Sequence, residues 1–233
     1  MDKIKITAVV TGTGEFANGK LKTGLWLSEL THIYHSAKEK GYEITVASPE
    51  GGNTPVDPVS LKAVFLDETS RRCWNDPQFR QALQHTPSLQ EVASRPADCI
   101  YLAGGHGAMY DFPRNPVLQS LLLKQYESGK MIAAICHGLC GLLNVKLPDG
   151  EYLIKGKKLT GFSWLGEMLA GRKNDVPYNL EASLKQRGAD YRKAFLPIFP
   201  EVVVDGNLVT GQNPFSSKAL AKMVLCRLES KKK

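Results

Sequence analysis

The sequence has no long apolar run. No stretch approaches the ~18 continuous apolar residues a membrane helix needs, and the opening MDKIKITAVVTGTG holds one short apolar run, too brief for a secretory leader. A membrane partner is therefore not expected, and a cytoplasmic location is. Cysteine is sparse. Cys73, Cys99, Cys136, Cys140 and Cys226 are an odd, scattered set that reads as free thiols. Cys136 and Cys140 are spaced C-x-x-x-C, which excludes the thioredoxin-type C-x-x-C motif. The histidines His32, His35 and His85 lack ligand spacing, so neither a metal nor a cofactor is expected. Lysine and arginine outnumber acidic residues 30 to 23, for a formal charge of +7. The basic residues are scattered, with no aromatic-interleaved stripe and no zinc-finger spacing, so nucleic acid is not an expected partner. Internal repeats are absent, and the one biased tract is the terminal Lys231–Lys233.

What is present is ordinary for a globular protein. Of 233 residues, 42% are hydrophobic and 23% charged, which suits one sizeable domain over 1–233. Continuous apolar runs at 4–10 (IKITAVV), 42–48 (YEITVAS), 98–107 (DCIYLAGGHG) and 131–136 (MIAAIC) read as doubly buried strands. Helical periodicity covers 23–40, closed by Gly41. A second helix covers 115–130, with Asn115 as N-cap and Pro116 at its first position. Another helix is expected after Gly138, and a last one at the C-terminal PFSSKALAKMVLCRLE. Asp205-Gly206, within EVVVDGNLVTG, signals a hairpin. Strands alternating with helices predict an α/β fold, a flavodoxin-like doubly wound and mostly parallel sheet with helices on both faces. Segments around 50–96 and 145–200 break this pattern. They are expected to be insertions that form a cap over the site.

Open α/β sheets bind ligands at the carboxyl ends of their strands, and two strands here end in YLAGGHG and AAICHG. A buried strand running into Cys136-His137-Gly138 and then a helix has the outline of a nucleophile elbow. A helix N-terminus at that turn favours the thiolate, and His137 can shuttle protons. An inert buried cysteine is the competing reading. The adjacent polar ring favours function, since it has little reason to end a core strand. Cys99 and Cys140 read as packing residues, and Cys73 and Cys226 carry no signal. On the helix 23–40, Glu29 falls toward the face of Trp26, Leu30, Ile33, Tyr34 and Ala37. It either reaches water at the margin of that face or sits beside Cys136 as a general acid/base with a raised pKa. Gly104 and Gly105 allow close backbone approach to a ligand. The N–H groups around Gly105 and His106 are candidates for an oxyanion site, although His106 alone reads as structural. AGGHG matches no phosphate loop.

Together AGGHG, AAICHG, KTGLWLSEL with Glu29, TGFSWLGEMLAG and LVTGQNP resemble the ThiJ/PfpI superfamily, which has the class I glutamine amidotransferase-like fold. These motifs span residues 22–214. GGHG and VPYNLEASLKQRGADY are similar to its glutathione-independent glyoxalase (glyoxalase III) and stress-chaperone branch. The resemblance implies conversion of methylglyoxal to D-lactate without metal or glutathione, in carbonyl-stress defence. It also implies a homodimer. By position it makes Cys136 the nucleophile, His137 the adjacent base, Glu29 a proton relay and Glu167 the acid that orients the histidine. From pattern alone Glu167 reads as a surface helix residue. Trp164, Leu165 and Gly166 replace a more acidic segment of related chains, and Trp164 would narrow the pocket if it faced inward. Two other classes stay open. One is a redox-responsive holdase with an oxidisable Cys136, acting on unfolded client proteins. The other is a cysteine peptidase or amidase. A glutamine amidotransferase fits less well, because it needs a synthase partner and a different histidine spacing.

Overall fold

The computed structural model describes residues 3–17 and 19–231, so Lys232 and Lys233 of the terminal lysine run lie outside the described residues. The apolar runs become strands β1 (Lys5–Val9), β2 (Glu43–Ala47), β3 (Cys99–Leu102) and β4 (Met131–Ile135). The short pair β5 (Lys158–Leu159) and β6 (Asp190–Tyr191) lies apart, and β7 (Val202–Asp205) and β8 (Leu208–Gly211) form the predicted hairpin. Asp205 pairs with Leu208, so the two turn residues are Gly206 and Asn207, one position later than the Asp-Gly signal. The main sheet has the order β2-β1-β3-β4-β8-β7, with every neighbouring pair parallel except β7 with β8.

Burial explains the order. Every residue of β3, β4 and β8 is buried, while β2 and β7 at the edges are partly exposed. Successive side chains of β4 point to opposite faces. Ala133 and Ile135 join one apolar cluster with Leu30, Ile33 and Val224, whereas Ile132 and Ala134 join another with Leu118, Leu122 and Leu184. Helices α1 (Leu27–Glu39), α2 (Glu68–Asn75) and α3 (Pro77–Gln84) serve the first face. Helices α4 (Leu89–Val92), α5 (Ala108–Asp111), α6 (Pro116–Glu127), α7 (Trp164–Leu169) and α8 (Leu180–Gln186) follow in the chain, with α6 and α8 on the second face, and α9 (Ser217–Ser230) returns to the first. Helices on both faces of a mostly parallel sheet make the flavodoxin-like, doubly wound arrangement.

Two elements differ from expectation. The helix predicted from residue 23 begins at Leu27, because residues 24–26 are held extended. Leu25 donates its N–H to Pro55 O at 2.8 Å and accepts the Asp57 N–H at 2.9 Å. The helix expected after Gly138 is instead a 3-10 segment over Cys136–Leu142. The chain there lies against β3, where a Cβ on Gly138 would stand 2.4 Å from Leu102 O.

From β1 the winding runs outward to β2 on one side and to β3 on the other, so the crevice at the carboxyl ends of β1 and β3 is the switch point of the sheet. There the 24–26 segment crosses the AGGHG turn. Trp26 N–H donates to Gly104 O at 3.2 Å. Gly105 has φ +103°, and a Cβ on it would lie 2.1 Å from Gly24 O. Gly105→Ala should therefore cost about 2–4 kcal/mol in urea unfolding. Gly129→Ala, at φ +65° with open space around it, should cost only about 1–2 kcal/mol. Equal losses would show that the crossing is not tightly packed.

Candidate active site

Cys136 ends β4 with φ +57°, the only positive φ on a non-glycine residue among the described residues. Such a conformation is strained for an L-residue and persists where the surroundings enforce it. Here the Phe162 N–H donates to Cys136 O at 3.3 Å. The turn aims Sγ toward His137 Nδ1, 3.3 Å away. His137 Nε2 stands 2.8 Å from Glu167 Oε2, and the second carboxylate oxygen, Oε1, is 2.7 Å from His106 Nε2. The two imidazoles lie tilted by 40° with centroids 4.2 Å apart. All four side chains are buried.

The electrostatics follow from this wiring. Burial disfavours the charge of Glu167. The opposing pull of His137, and of the hydrogen bonds that it and His106 donate, is greater in sum and holds the carboxyl far below its usual range. Glu167 is thus an anion that accepts N–H from both rings. Burial, followed by the neighbouring His106, lowers the pKa of His137, so it rests neutral. A neutral His137 that donates through Nε2 presents a bare Nδ1 to the thiol, as triad logic requires. His106, expected to be structural or to offer its backbone N–H, instead bonds Glu167 through its side chain. The ligating atoms of His106, His137 and Glu167 lie within 4.8 Å of one another. The histidine spacing does not announce this grouping, because three separate segments build it.

Glu29 is 0% exposed, so the margin reading fails. Its Oε2 accepts the Gly104 N–H at 2.8 Å, and its own carbonyl accepts the Tyr101 hydroxyl at 2.7 Å. Oε1 is buried without a hydrogen-bond partner of good geometry, and the carboxyl interacts with the Cys136 thiol. Burial pushes the pKa of Glu29 from 4.5 to about 8. Burial, then the neighbouring Glu29 carboxyl, raises the thiol well above its ordinary value. The expected helix-stabilised thiolate is therefore corrected: the resting group is a thiol, enclosed in the core beside the neutral Glu29 carboxyl and near the Glu167 carboxylate. Gly104 and Gly105 are also reread. A Cβ on Gly104 would stand 2.5 Å from Glu29 Oε2, and Gly105 meets Gly24. Both glycines admit the protein's own atoms rather than a ligand. The N–H groups of Gly105 and His106 have no acceptor among the described residues.

Cys136, His106 and His137 open into a cavity of 230 Å³. Phe65, from the first irregular segment, and Phe162, Gly166, Pro197 and Ile198, from the second, complete its walls with Trp26 and Phe215. Trp164 does not line it. Its backbone N–H donates to Glu181 Oε2 at 3.0 Å, and Gly166 of the same helix lines the cavity, so the condition for a narrowing by Trp164 is not met. Sequence reasoning missed the aromatic walls, which come from scattered single residues. Asn213 of LVTGQNP was legible as a motif member. Its amide donates to Pro197 O and Phe199 O, both at 2.7 Å, and fixes one rim. A broader depression of 840 Å³ at the opposite end of the sheet, beside Asn207 and Arg227, holds none of these residues.

The raised pKa of Glu29 has a measurable consequence. Between about pH 4.5 and 8 the folded protein holds a proton on Glu29 that the unfolded chain has released. Unfolding then releases a proton, so the contribution of Glu29 to stability declines as pH rises through this window. In Glu29→Gln that decline should vanish. Urea unfolding of both proteins between pH 5 and 8 measures it, and identical pH slopes would refute it.

The DJ-1/PfpI family matches residues 21–227. The glutathione-independent glyoxalase hsp3101 of Schizosaccharomyces pombe is 32% identical over 222 residues, covering 91% of this chain and 90% of its own. Among solved structures, Rapid Encystment Protein 24 KDa of Francisella tularensis superposes with a TM-score of 0.92 at 37% identity, over 97% of this chain and 99% of its own. The crystal structure of glyoxalase III from Candida albicans superposes with a TM-score of 0.86 at 30% identity, over 96% of each chain. No helix among the described residues is long and apolar enough to cross a membrane. With the match running through nearly all of its length, the chain belongs to the DJ-1/PfpI family.

Proposed function

We propose that this protein is a glutathione-independent glyoxalase that converts methylglyoxal to D-lactate. The observation that carries the reading is one sulfur served from two sides. The Cys136–His137–Glu167 line runs through contacts of 3.3 and 2.8 Å, and the Glu29 carboxyl, protonated at neutral pH, interacts with the same sulfur. The relatives named above support the choice among reactions that such a site permits.

The proposed course follows from the protonation states. His137 Nδ1 takes the thiol proton as sulfur attacks the aldehyde carbon, and Glu167 holds the resulting imidazolium. The new alkoxide gains a proton and becomes a hemithioacetal. The N–H groups of Gly105 and His106 are the donors assigned to it. Glu29 gives its proton to the ketone oxygen while His137, neutral again, removes the hydrogen from the former aldehyde carbon as a proton, which leaves an enediol. Return of that proton to the neighbouring carbon, while the hydroxyl on the former aldehyde carbon gives its proton back to Glu29, yields a thioester of Cys136, and water releases the hydroxy acid and restores the thiol. Methylglyoxal and one water give one lactate, with no oxidant or reductant consumed.

The homodimer and the role in carbonyl-stress defence belong to the same reading and rest on the family resemblance, and the cytoplasmic location rests on the short apolar runs of the sequence. The test is methylglyoxal loss and D-lactate gain without glutathione. Cys136→Ala should reduce turnover about a thousandfold or more, and Glu29→Gln and His137→Ala by about a hundredfold or more each. Undiminished turnover in Cys136→Ala would end the proposal.

A further inference from the structure

The cavity above Cys136 is built unevenly. Its polar groups are at the base, where Cys136, His106 and His137 sit. Both histidines are committed to Glu167. Asn213, the other polar residue of the lining, has spent its amide on Pro197 O and Phe199 O and its carbonyl oxygen on Ser216. Above the base the walls are apolar side chains, apart from the buried Trp26 indole N–H, which has no hydrogen-bond partner among the described residues. Trp26 and Phe65 meet edge to face at 5.1 Å on one wall, and the Phe162 ring lies 4.6 Å from His137. Ile198 and Phe215, which face the same cavity, are 56% and 52% exposed. The lining holds no lysine, arginine, aspartate or glutamate, so a carboxylate or phosphate on a substrate would be desolvated there without a partner.

Any 2-oxoaldehyde must place its aldehyde carbon on Cys136 at the base. Its substituent then points up the apolar walls. A methyl group covers little of them, and leaves Ile198 and Phe215 in water. A phenyl or branched alkyl group would cover both and remove apolar surface from water on each partner. Building on the glyoxalase reading of this site, we propose that its preferred substrates are 2-oxoaldehydes with a bulky apolar substituent, aromatic or branched alkyl, rather than methylglyoxal itself. The chemistry is unchanged. The aldehyde carbon is oxidised to the carboxyl level, the adjacent ketone is reduced to a secondary alcohol, and one water enters, so phenylglyoxal gives mandelate.

The test compares methylglyoxal, isobutylglyoxal and phenylglyoxal without glutathione and follows the 2-hydroxy acid formed. Isobutylglyoxal keeps an alkyl ketone, so it separates wall contacts from carbonyl reactivity. In the wild type, kcat/KM for both bulky substrates should exceed that for methylglyoxal by about tenfold or more. In Phe215→Ser combined with Ile198→Ser that ratio should collapse toward unity, chiefly through KM. Each single variant should reduce the ratio in part, which covers a double variant that folds poorly. Methylglyoxal turned over as efficiently as the bulky substrates would overturn the substrate preference and leave the glyoxalase reading standing. An unchanged ratio in the folded variants would remove the assigned role of these walls. No turnover of any of the three by the folded wild type would overturn both proposals.

Discussion

A carboxyl group sealed away from water is the constraint around which this molecule is arranged. Glu29 enters from α1, which must begin where it does because residues 24–26 are tied to Pro55 and Asp57. It ends on the Gly104 N–H and beside the Cys136 thiol. That position demands glycine at 104, a tyrosine hydroxyl on the Glu29 carbonyl, and the close crossing of Gly24 over Gly105. Burying a polar acid costs stability, and the fold tolerates it by keeping the group protonated. The same sealing keeps the neighbouring sulfur a thiol, and in the proposed course its deprotonation is deferred to the moment when His137 accepts the proton.

The second carboxylate solves the opposite problem. Glu167 is equally hidden, yet two imidazoles surround it and keep it ionised. One fold therefore holds a neutral acid and an anionic acid near a single sulfur, the first set by burial and the second by its two imidazole partners. Pairs of titratable groups driven apart in this way divide acid from base duties in many active sites.

Much of this was legible in the residues. The strand runs, the Cys-His pair at a strand end and the position of Glu29 on the apolar face of its helix all follow from local periodicity, because each depends on neighbours a few residues away. What depends on distant partners was hidden. Glu167 reads as a surface residue because α7 is only six residues long and shows too little periodicity to reveal a buried side. The bond from His106 to Glu167 spans 61 positions and leaves no local trace. The helix expected after Gly138 from the strand-turn-helix outline is a 3-10 segment, because Gly138 and Gly141 pack the chain against Leu102. A depressed thiol pKa is what the helix N-terminus and the neighbouring histidine suggest, and it fails because the fold buries the sulfur and brings two acidic side chains, Glu29 and Glu167, to it.

The Asn213 clasp separates two inheritances. The reacting groups stand on strand ends and buried turns, where nearly every substitution disturbs packing. The rim around Ile198 and Phe215 is half in water and is joined to the sheet through the backbone carbonyls of Pro197 and Phe199, not through the rim side chains. Side chains on that rim can change while the clasp and the chemistry beneath it persist, and such surface changes cost little stability. Relatives of this chain can thus diverge in what they accept long before they diverge in what they do to it.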